Sequence, residues 1–177
     1  MKPKELLMKA SNTLSIVSNR IESKVLNQST KLKPEIISIS SRLNELITYI
    51  NGILRSISER IGDETDVDSV VDFGKYFYIV FHKDRFVLIR NKPKYIIISY
   101  DSGKDEIHVK SRKLSVKIST ASLEASLLTI KVSIDPGNIE DYINKFNELR
   151  YIMKSFGKII EYYMLPLTEK RLRASIK

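Results

Sequence analysis

Residues 35–61, EIISISSRLNELITYINGILRSISERI, decide the class of fold, because their apolar side chains recur in steps of three and four without a break. The positions of this seam are Ile36, Ile39, Leu43, Leu46, Ile50, Ile53 and Ile57. Ile47, Leu54 and Ile61 widen the seam on one side. The pattern predicts a coiled-coil-like helix that packs against more than one neighbour.

The chain before this seam predicts a second helix over residues 4–32, with one apolar stripe at helical spacing. Pro34 ends that helix or opens the next one. The short connection predicts an antiparallel helical hairpin over residues 1–62, which Gly62 terminates. The acidic stretch 62–72, GDETDVDSVVD, is interpreted as a connector.

After the connector the apolar period changes from 3.6 to 2, which indicates strands. Six strands joined by tight turns predict an antiparallel meander, over residues 75–82, 85–90, 94–100, 106–112, 114–120 and 127–134. Asp135-Pro136-Gly137-Asn138 then interrupts the sheet and caps a long amphipathic helix over residues 139–164.

The predicted fold class is therefore α+β, with an N-terminal antiparallel helical hairpin, a six-stranded antiparallel meander and a long C-terminal amphipathic helix. The hairpin occupies residues 1–62, and the sheet with its helix occupies residues 73–164. Residues 165–177 form a basic tail.

Composition argues against several classes of site. The chain has no Cys and two His, so we expect no disulfide, no thiolate metal site and no metal ion at all. The acids of the connector do not follow the spacing of an EF-hand, and neither a P-loop nor a Rossmann glycine pattern occurs. We expect no cofactor and no catalytic residues, although a site assembled from distant residues would leave no local trace.

The sequence shows neither an apolar run of about 18 residues nor a signal peptide, so we expect a cytoplasmic protein with no transmembrane segment. The absence of Cys and Trp, together with many Ile and Lys, would suit a thermophile. An AT-rich genome would give the same Ile and Lys bias.

The net charge of +9 favours a polyanionic partner, either DNA or RNA. Alternation along the predicted strands places basic residues and tyrosines opposite the apolar ones, and cations interleaved with aromatic rings are typical of single-strand binders. An antiparallel sheet with one ordinary solvated face would give the same pattern. The candidate nucleic-acid residues are Tyr76, Tyr78, His108, Lys110, Arg112 and Lys117, with Lys170, Arg171 and Arg173 of the tail.

Two helices of this length extend about 40 Å, which is more apolar surface than the predicted sheet and one helix would cover. We therefore expect a homo-oligomer or a protein partner bound through the helices. The candidate interface residues are Ile36, Leu43, Ile47, Ile50, Leu54 and Ile57.

The resulting hypothesis is a non-catalytic binding and assembly protein, a subunit of a larger complex that contacts nucleic acid through its basic sheet face or tail. A structural adaptor with protein partners only is one alternative. A module that binds anionic membranes is another.

Overall fold

The computed structural model describes residues 1–92 and 95–161, which form an α+β fold of N-terminal helices, an antiparallel sheet and C-terminal helices. The helices are α1 (Pro3–Lys24), a 3₁₀ helix (Leu26–Lys31), α2 (Pro34–Arg60), α3 (Ile139–Asn144) and α4 (Phe146–Ile159). The strands are β1 (Asp68–Gly74), β2 (Phe77–His82), β3 (Arg85–Arg90), β4 (Ile96–Asp101), β5 (Glu106–Ser111), β6 (Leu114–Ile118), β7 (Leu123–Leu127) and β8 (Ile130–Ile134).

Proline fixes the start of both long helices, since Pro3 and Pro34 stand in the first turn, where a missing N–H costs no hydrogen bond. Pro34 therefore opens α2 rather than ending α1. The first helix is shorter than the predicted 4–32, because α1 ends at Lys24 and the chain continues as a 3₁₀ helix. At the other end of α2, Ile61 is already extended, which places the helix end beside Gly62 as expected.

The sheet contains eight strands in the order of the chain, each antiparallel to the next. The predicted meander is therefore right in kind, but the number of six strands is wrong. Strand β1 begins within the acidic stretch that was interpreted as a connector and extends two residues beyond it. Its register pairs Val71 with Ile79 and Asp72 with Tyr78. The Asp residues of β1 concealed the strand in the sequence, because Asp is generally depleted in strands although it suits an exposed edge strand.

The predicted strand 127–134 joins the last residue of β7 to β8 across a turn at Leu128 and Thr129, and the rest of β7 was not predicted. Leu128 adopts a positive φ of 56° and is 62% exposed. No Gly, Asn or Asp marks this turn, so the usual sequence signal for a hairpin is missing.

The single long C-terminal helix is also wrong in detail, because the chain breaks at Lys145 into α3 and α4. The Asn138 side chain caps α3 by accepting from the Glu140 N–H at 3.0 Å. Tyr142 fixes α3 to the preceding turn by donating to the Pro136 carbonyl at 2.6 Å. The apolar spacing runs through the break, which is why periodicity did not show it.

The core lies between the sheet and the helices. Helix α1 contacts β3, α4 contacts β6, β7 and β8, and α2 packs on α1, α3 and α4. A set of polar contacts fixes the antiparallel register of α1 against α2: Asn51 donates to Ser15 at 3.0 Å, Arg55 donates to Ser11 at 3.0 Å, and Ser18 donates to Asn44 at 2.6 Å.

The seam residues proposed for a partner interface are buried inside this chain. Ile36 is 6% exposed, Leu43 is 1% exposed, and Ile47, Ile50, Leu54 and Ile57 are 0% exposed. The expectation of surplus apolar helix surface is corrected by this finding, because α1, α3 and α4 together cover the seam of α2.

No helix in the described part of the chain is both long enough and apolar enough to cross a membrane. The end of the predicted helix, the predicted basic tail 165–177, and the candidate residues Lys170, Arg171 and Arg173 within it lie outside the described residues.

Candidate nucleic-acid interface

The sheet has one face on the core and one face away from it, which we call the outer face. Along each strand the residues alternate between these two faces. No side chain of β1–β8 that points to the outer face is buried, whereas most side chains that point to the core face are buried. No described helix therefore covers the outer face.

Strand register aligns an aromatic ring and two cations in one row across this face. The row runs from Tyr78 through Ile89, Ile97, Lys110, Ser115 and Ser126 to Lys131. Neighbouring strands lie about 4.8 Å apart, so Tyr78 and Lys110 are about 14 Å apart and the whole row spans about 29 Å.

A second row lies beside the first and runs through Ser99, His108, Lys117, Glu124 and Ser133. His108 Nε2 is 2.7 Å from the Ser115 hydroxyl oxygen, which links the two rows. Burial and the charges of Lys117 and Lys110 lower the pKa of His108 from its usual 6.5, so the ring is neutral at pH 7.

Positive charge gathers at one end of the sheet, the basic end, which we define by Lys75, Lys92, Arg112 and Lys113 in its turns. Lys110 and Lys131 lie in the row next to these turns. The opposite end is richer in acids, with Asp68, Asp84, Asp101, Asp105 and Glu106 against Lys83, Arg85 and Lys104. The outer face is therefore electrostatically polarised, and an anion is attracted to the basic end.

Tyr76 stands in the turn before β2, at this basic end. Two ammonium groups lie over its ring, from Lys92 at 4.9 Å and from Lys75 at 5.4 Å to the ring centroid. These cation–π contacts hold both lysines at the edge of the outer face.

A concavity of about 500 Å³ opens on the outer face over β6–β8, and we call it the serine–lysine pocket. Its polar lining consists of Ser115, Lys117, Glu124, Ser126, Lys131 and Ser133. The hollow lies where the strands carry serine, because small side chains leave space between the longer lysines. Hydroxyl and ammonium donors around one hollow suit a phosphate group.

The outer face of β1–β4 is different in character, because apolar side chains occupy its centre. Val80, Val87, Ile89 and Ile97 are partly exposed there, and Val70 on the edge strand is 60% exposed. Tyr78 lies within this half, on β2, between the exposed Asp72 of β1 and Ile89 of β3. Its ring therefore has a carboxylate on one side and an apolar side chain on the other.

Comparison with protein-family models, curated proteins and solved structures gave no match. The chemistry of the outer face must therefore be argued from its own side chains.

The arrangement offers cations, hydroxyl groups and one half-exposed aromatic ring, which is a set suited to binding. Within residues 1–92 and 95–161, no group of three or more His, Asp or Glu side chains could hold a metal ion.

The structure brings five of the sequence candidates onto one continuous surface: Tyr78, His108, Lys110, Lys117 and Arg112 at its margin. Tyr76 lies at the same end in a turn. Sequence reasoning missed Ser126, Lys131 and Ser133, because most of β7 was not predicted and its turn into β8 was read as strand. It placed Ser115 on the outward face but did not name it as a site residue. It also missed Lys75, Lys92 and Lys113, since turn lysines carry no periodic signal.

Proposed function

We propose that this chain is a non-catalytic, cytoplasmic binding protein that holds single-stranded nucleic acid on the outer face of its sheet. Phosphates contact the serine–lysine pocket and the basic end, and a base stacks on Tyr78. The observation that carries the proposal is the cross-strand row that places Tyr78, Lys110 and Lys131 on one uncovered face.

The row suits a flexible single strand better than a duplex. Its length of about 29 Å allows several successive nucleotides to lie across the strands. Bases of a single strand are free to stack on an aromatic ring, whereas bases in a duplex are already stacked. The acids of the opposite end repel the backbone and so fix its direction of approach.

The proposal covers DNA and RNA alike, because lysine and tyrosine contacts do not distinguish them. Ser115, Ser126 and Ser133 can accept a hydrogen bond from a ribose hydroxyl as well as donate to a phosphate. Direct contact of these serines with the sugar would give a preference for RNA.

The test is a titration of fluorescent single-stranded DNA and RNA, followed by anisotropy at several salt concentrations. The variant Lys110→Gln/Lys117→Gln/Lys131→Gln is expected to bind at least tenfold more weakly at low salt. Its plot of log K against log salt is expected to be shallower by about 2, since each phosphate contact on a single strand contributes about 0.7.

A matched control removes the same charge elsewhere, in Lys2→Gln/Lys24→Gln/Lys104→Gln, at three exposed positions away from the row. This control is expected to keep the slope of the parent. Equal losses in both triple variants would mean that net charge alone attracts the strand, and no binding by the parent at low salt would refute the proposal.

The aromatic contact has its own variant. Tyr78→Leu keeps apolar bulk but removes the ring, and stacking on one ring contributes about 1–3 kcal/mol. Tyr151→Leu on α4 is the control, since Tyr151 is 48% exposed and lies on a helix rather than on the sheet. Unchanged affinity in Tyr78→Leu would remove stacking from the proposal.

A further inference from the structure

The helical side of the molecule carries a groove that the proposed function does not use. It lies between the first half of α2 and the length of α4 and has a volume of about 730 Å³. A second hollow of about 490 Å³ adjoins it near the 3₁₀ helix and shares Glu35 and Phe146 with it. Together they form one groove, which we call the α2–α4 groove.

The floor of the α2–α4 groove is apolar and its rim is basic. Ile36, Ile39 and Met153 reach the floor as nearly buried side chains, and Phe146 is partly exposed beside them. The Arg42 guanidinium lies over Gly157, where a Cβ would come within 3.0 Å of its Nη2. The basic lining residues are Lys31, Lys33, Arg42, Arg150, Lys154 and Lys158. The acidic lining residues are Glu35 and Glu161, and Glu161 is already paired with Arg42.

The dimensions of the groove match a helix. Its lining residues run from Phe146 at the start of α4 to Glu161 just beyond its end, a length of about 22 Å at 1.5 Å per residue. An amphipathic helix of about four turns would lay its apolar stripe on the floor and its polar flanks against the rim.

The charge of the groove rim determines which kind of helix can bind there. The rim has an excess of four positive charges, so the occupant must carry acids on the flanks of its apolar stripe. A second copy of this chain has a net charge of +9 and would be repelled. Residues 162–177 follow directly from the groove, but they hold Lys170, Arg171 and Arg173 and have the same sign as the rim.

We propose that the α2–α4 groove is the docking site for an acidic amphipathic helix of a protein partner. The groove and the outer face lie on opposite sides of the molecule, because the helices pack on the core face of the sheet. Partner and nucleic acid are therefore bound by separate surfaces, and one chain joins them.

The test uses the full-length protein and a synthetic 16-residue helical peptide, with Leu at positions 1, 5, 8, 12 and 15, Glu at the flanking positions and a fluorophore at its N-terminus. We expect saturable binding by anisotropy. The variant Lys154→Glu/Lys158→Glu is expected to weaken it at least tenfold, and a peptide with Lys in place of Glu is expected not to bind.

A steric variant separates the groove from general charge attraction. Ser38→Trp plugs the groove from α2 and removes no charge, and it is expected to weaken peptide binding at least tenfold. Thr48→Trp is the matched control, since Thr48 is exposed on α2 and does not line the groove. Both tryptophan variants are expected to bind single-stranded oligonucleotide like the parent.

Three results would overturn the docking site. The first is a peptide that binds equally well to Ser38→Trp and to the parent. The second is loss of peptide binding in Lys110→Gln/Lys117→Gln/Lys131→Gln, which would move the site to the outer face. The third is binding of phosphatidylglycerol vesicles, but not of the peptide, by the parent and not by Ser38→Trp, which would make the occupant a lipid.

Discussion

Arg20 of α1 contacts both carboxylate oxygens of Asp135 through one nitrogen, its Nη2 lying 2.9 Å from Oδ1 and 3.0 Å from Oδ2. The same guanidinium donates through Nη1 to the Thr120 carbonyl at 2.8 Å. One side chain of the first helix therefore holds both the β6–β7 turn and the β8–α3 turn. A Cβ at Gly137 would come within 3.1 Å of this guanidinium, so the absence of a side chain there allows the close approach.

Removing Arg20 is expected to destabilise the fold. Arg20→Ala loses two hydrogen bonds and the ion pair with Asp135 at a partly exposed site, and we expect the free energy of unfolding to fall by about 1–2 kcal/mol. Arg20→Lys keeps the positive charge but lacks the planar guanidinium group, and it is expected to recover less than half of the lost free energy of unfolding. Urea unfolding followed by circular dichroism gives the values, and a loss below 0.3 kcal/mol (about the error of such a comparison) would contradict the structural role.

The contact between Arg20 and Asp135 is expected to make the stability of the fold depend on pH. Burial acts to raise the pKa of Asp135, but hydrogen bonds from Arg20 and from the Gly137 N–H, with the charge of Arg20, lower it overall. Because the pKa is lower in the folded state, the stabilisation is fully present above the ordinary pKa of 3.8 and is lost as the pH falls below it. Asp135→Asn is expected to lose less stability between pH 5 and pH 2 than the parent, measured by melting temperature. Asp63→Asn, at a side chain that is 89% exposed, is expected to behave like the parent.

Asp105 of the β4–β5 turn accepts hydrogen bonds from two hydroxyl groups at one oxygen, one from Thr13 of α1 and one from Tyr100 of β4. Tyr100 and Thr13 each donate to Asp105 Oδ1 at 2.6 Å. Tyr100→Phe removes one of these bonds without changing the buried ring, and we expect a loss of about 1 kcal/mol in urea unfolding. Tyr95→Phe is the control, because Tyr95 is 51% exposed, and no change is expected. Equal stability of both variants would mean that the hydroxyl contributes nothing.

The seam of α2 is expected to contribute to folding rather than to assembly. Ile50 is 0% exposed, so Ile50→Ala leaves a cavity and is expected to cost about 2–5 kcal/mol. Ile16→Ala, at a residue that is 47% exposed on α1, is expected to change stability by less than about 0.5 kcal/mol. Light scattering measures the molar mass of both folded variants, which is expected to equal that of the parent. If Ile50→Ala had a lower molar mass than the parent and unchanged stability, the seam would be an interface between protein chains.

His108 is expected to make nucleic-acid binding depend on pH. Its pKa is lowered in the free protein by burial and by Lys117 and Lys110, and a bound phosphate would favour the charged ring again. Affinity is therefore expected to rise by about fivefold, or about 1 kcal/mol, as the pH falls from 7.5 to 5.5. His108→Gln is expected to abolish the rise, whereas His82→Gln, an exposed position at the other end of the face, is expected to keep it. An unchanged rise in His108→Gln would place the titrating group elsewhere.

Periodicity was sufficient for most of the fold. Apolar spacing in residues 35–61 predicted α2, and strict alternation predicted the central strands with their faces, because both patterns follow from which side chains meet the core. The errors lie where the local signal is absent or misleading. Asp68 and Asp72 concealed an edge strand, Leu128 took a turn position usually given to Gly or Asn, and Lys145 broke a helix without interrupting its stripe.

The candidate site was only partly accessible from sequence, because a row across a sheet depends on register. Tyr78 and Lys131 are far apart in the chain, and no local pattern shows that six strand pairings bring them into line. The α2–α4 groove was missed for a related reason. Its rim comes from the polar faces of two helices whose packing angle periodicity does not give.

The complete separation of inward from outward side chains along the strands has an evolutionary consequence. Codons for residues such as Lys117, Glu124 and Lys131 can drift without disturbing hydrophobic packing, because those positions never enter it. A lineage could thus exchange one ligand for another by a handful of changes in β5–β8 while inheriting the same scaffold. Homologues should accordingly differ most at the outward-facing positions of β5–β8 and least at the inward-facing positions that alternate with them.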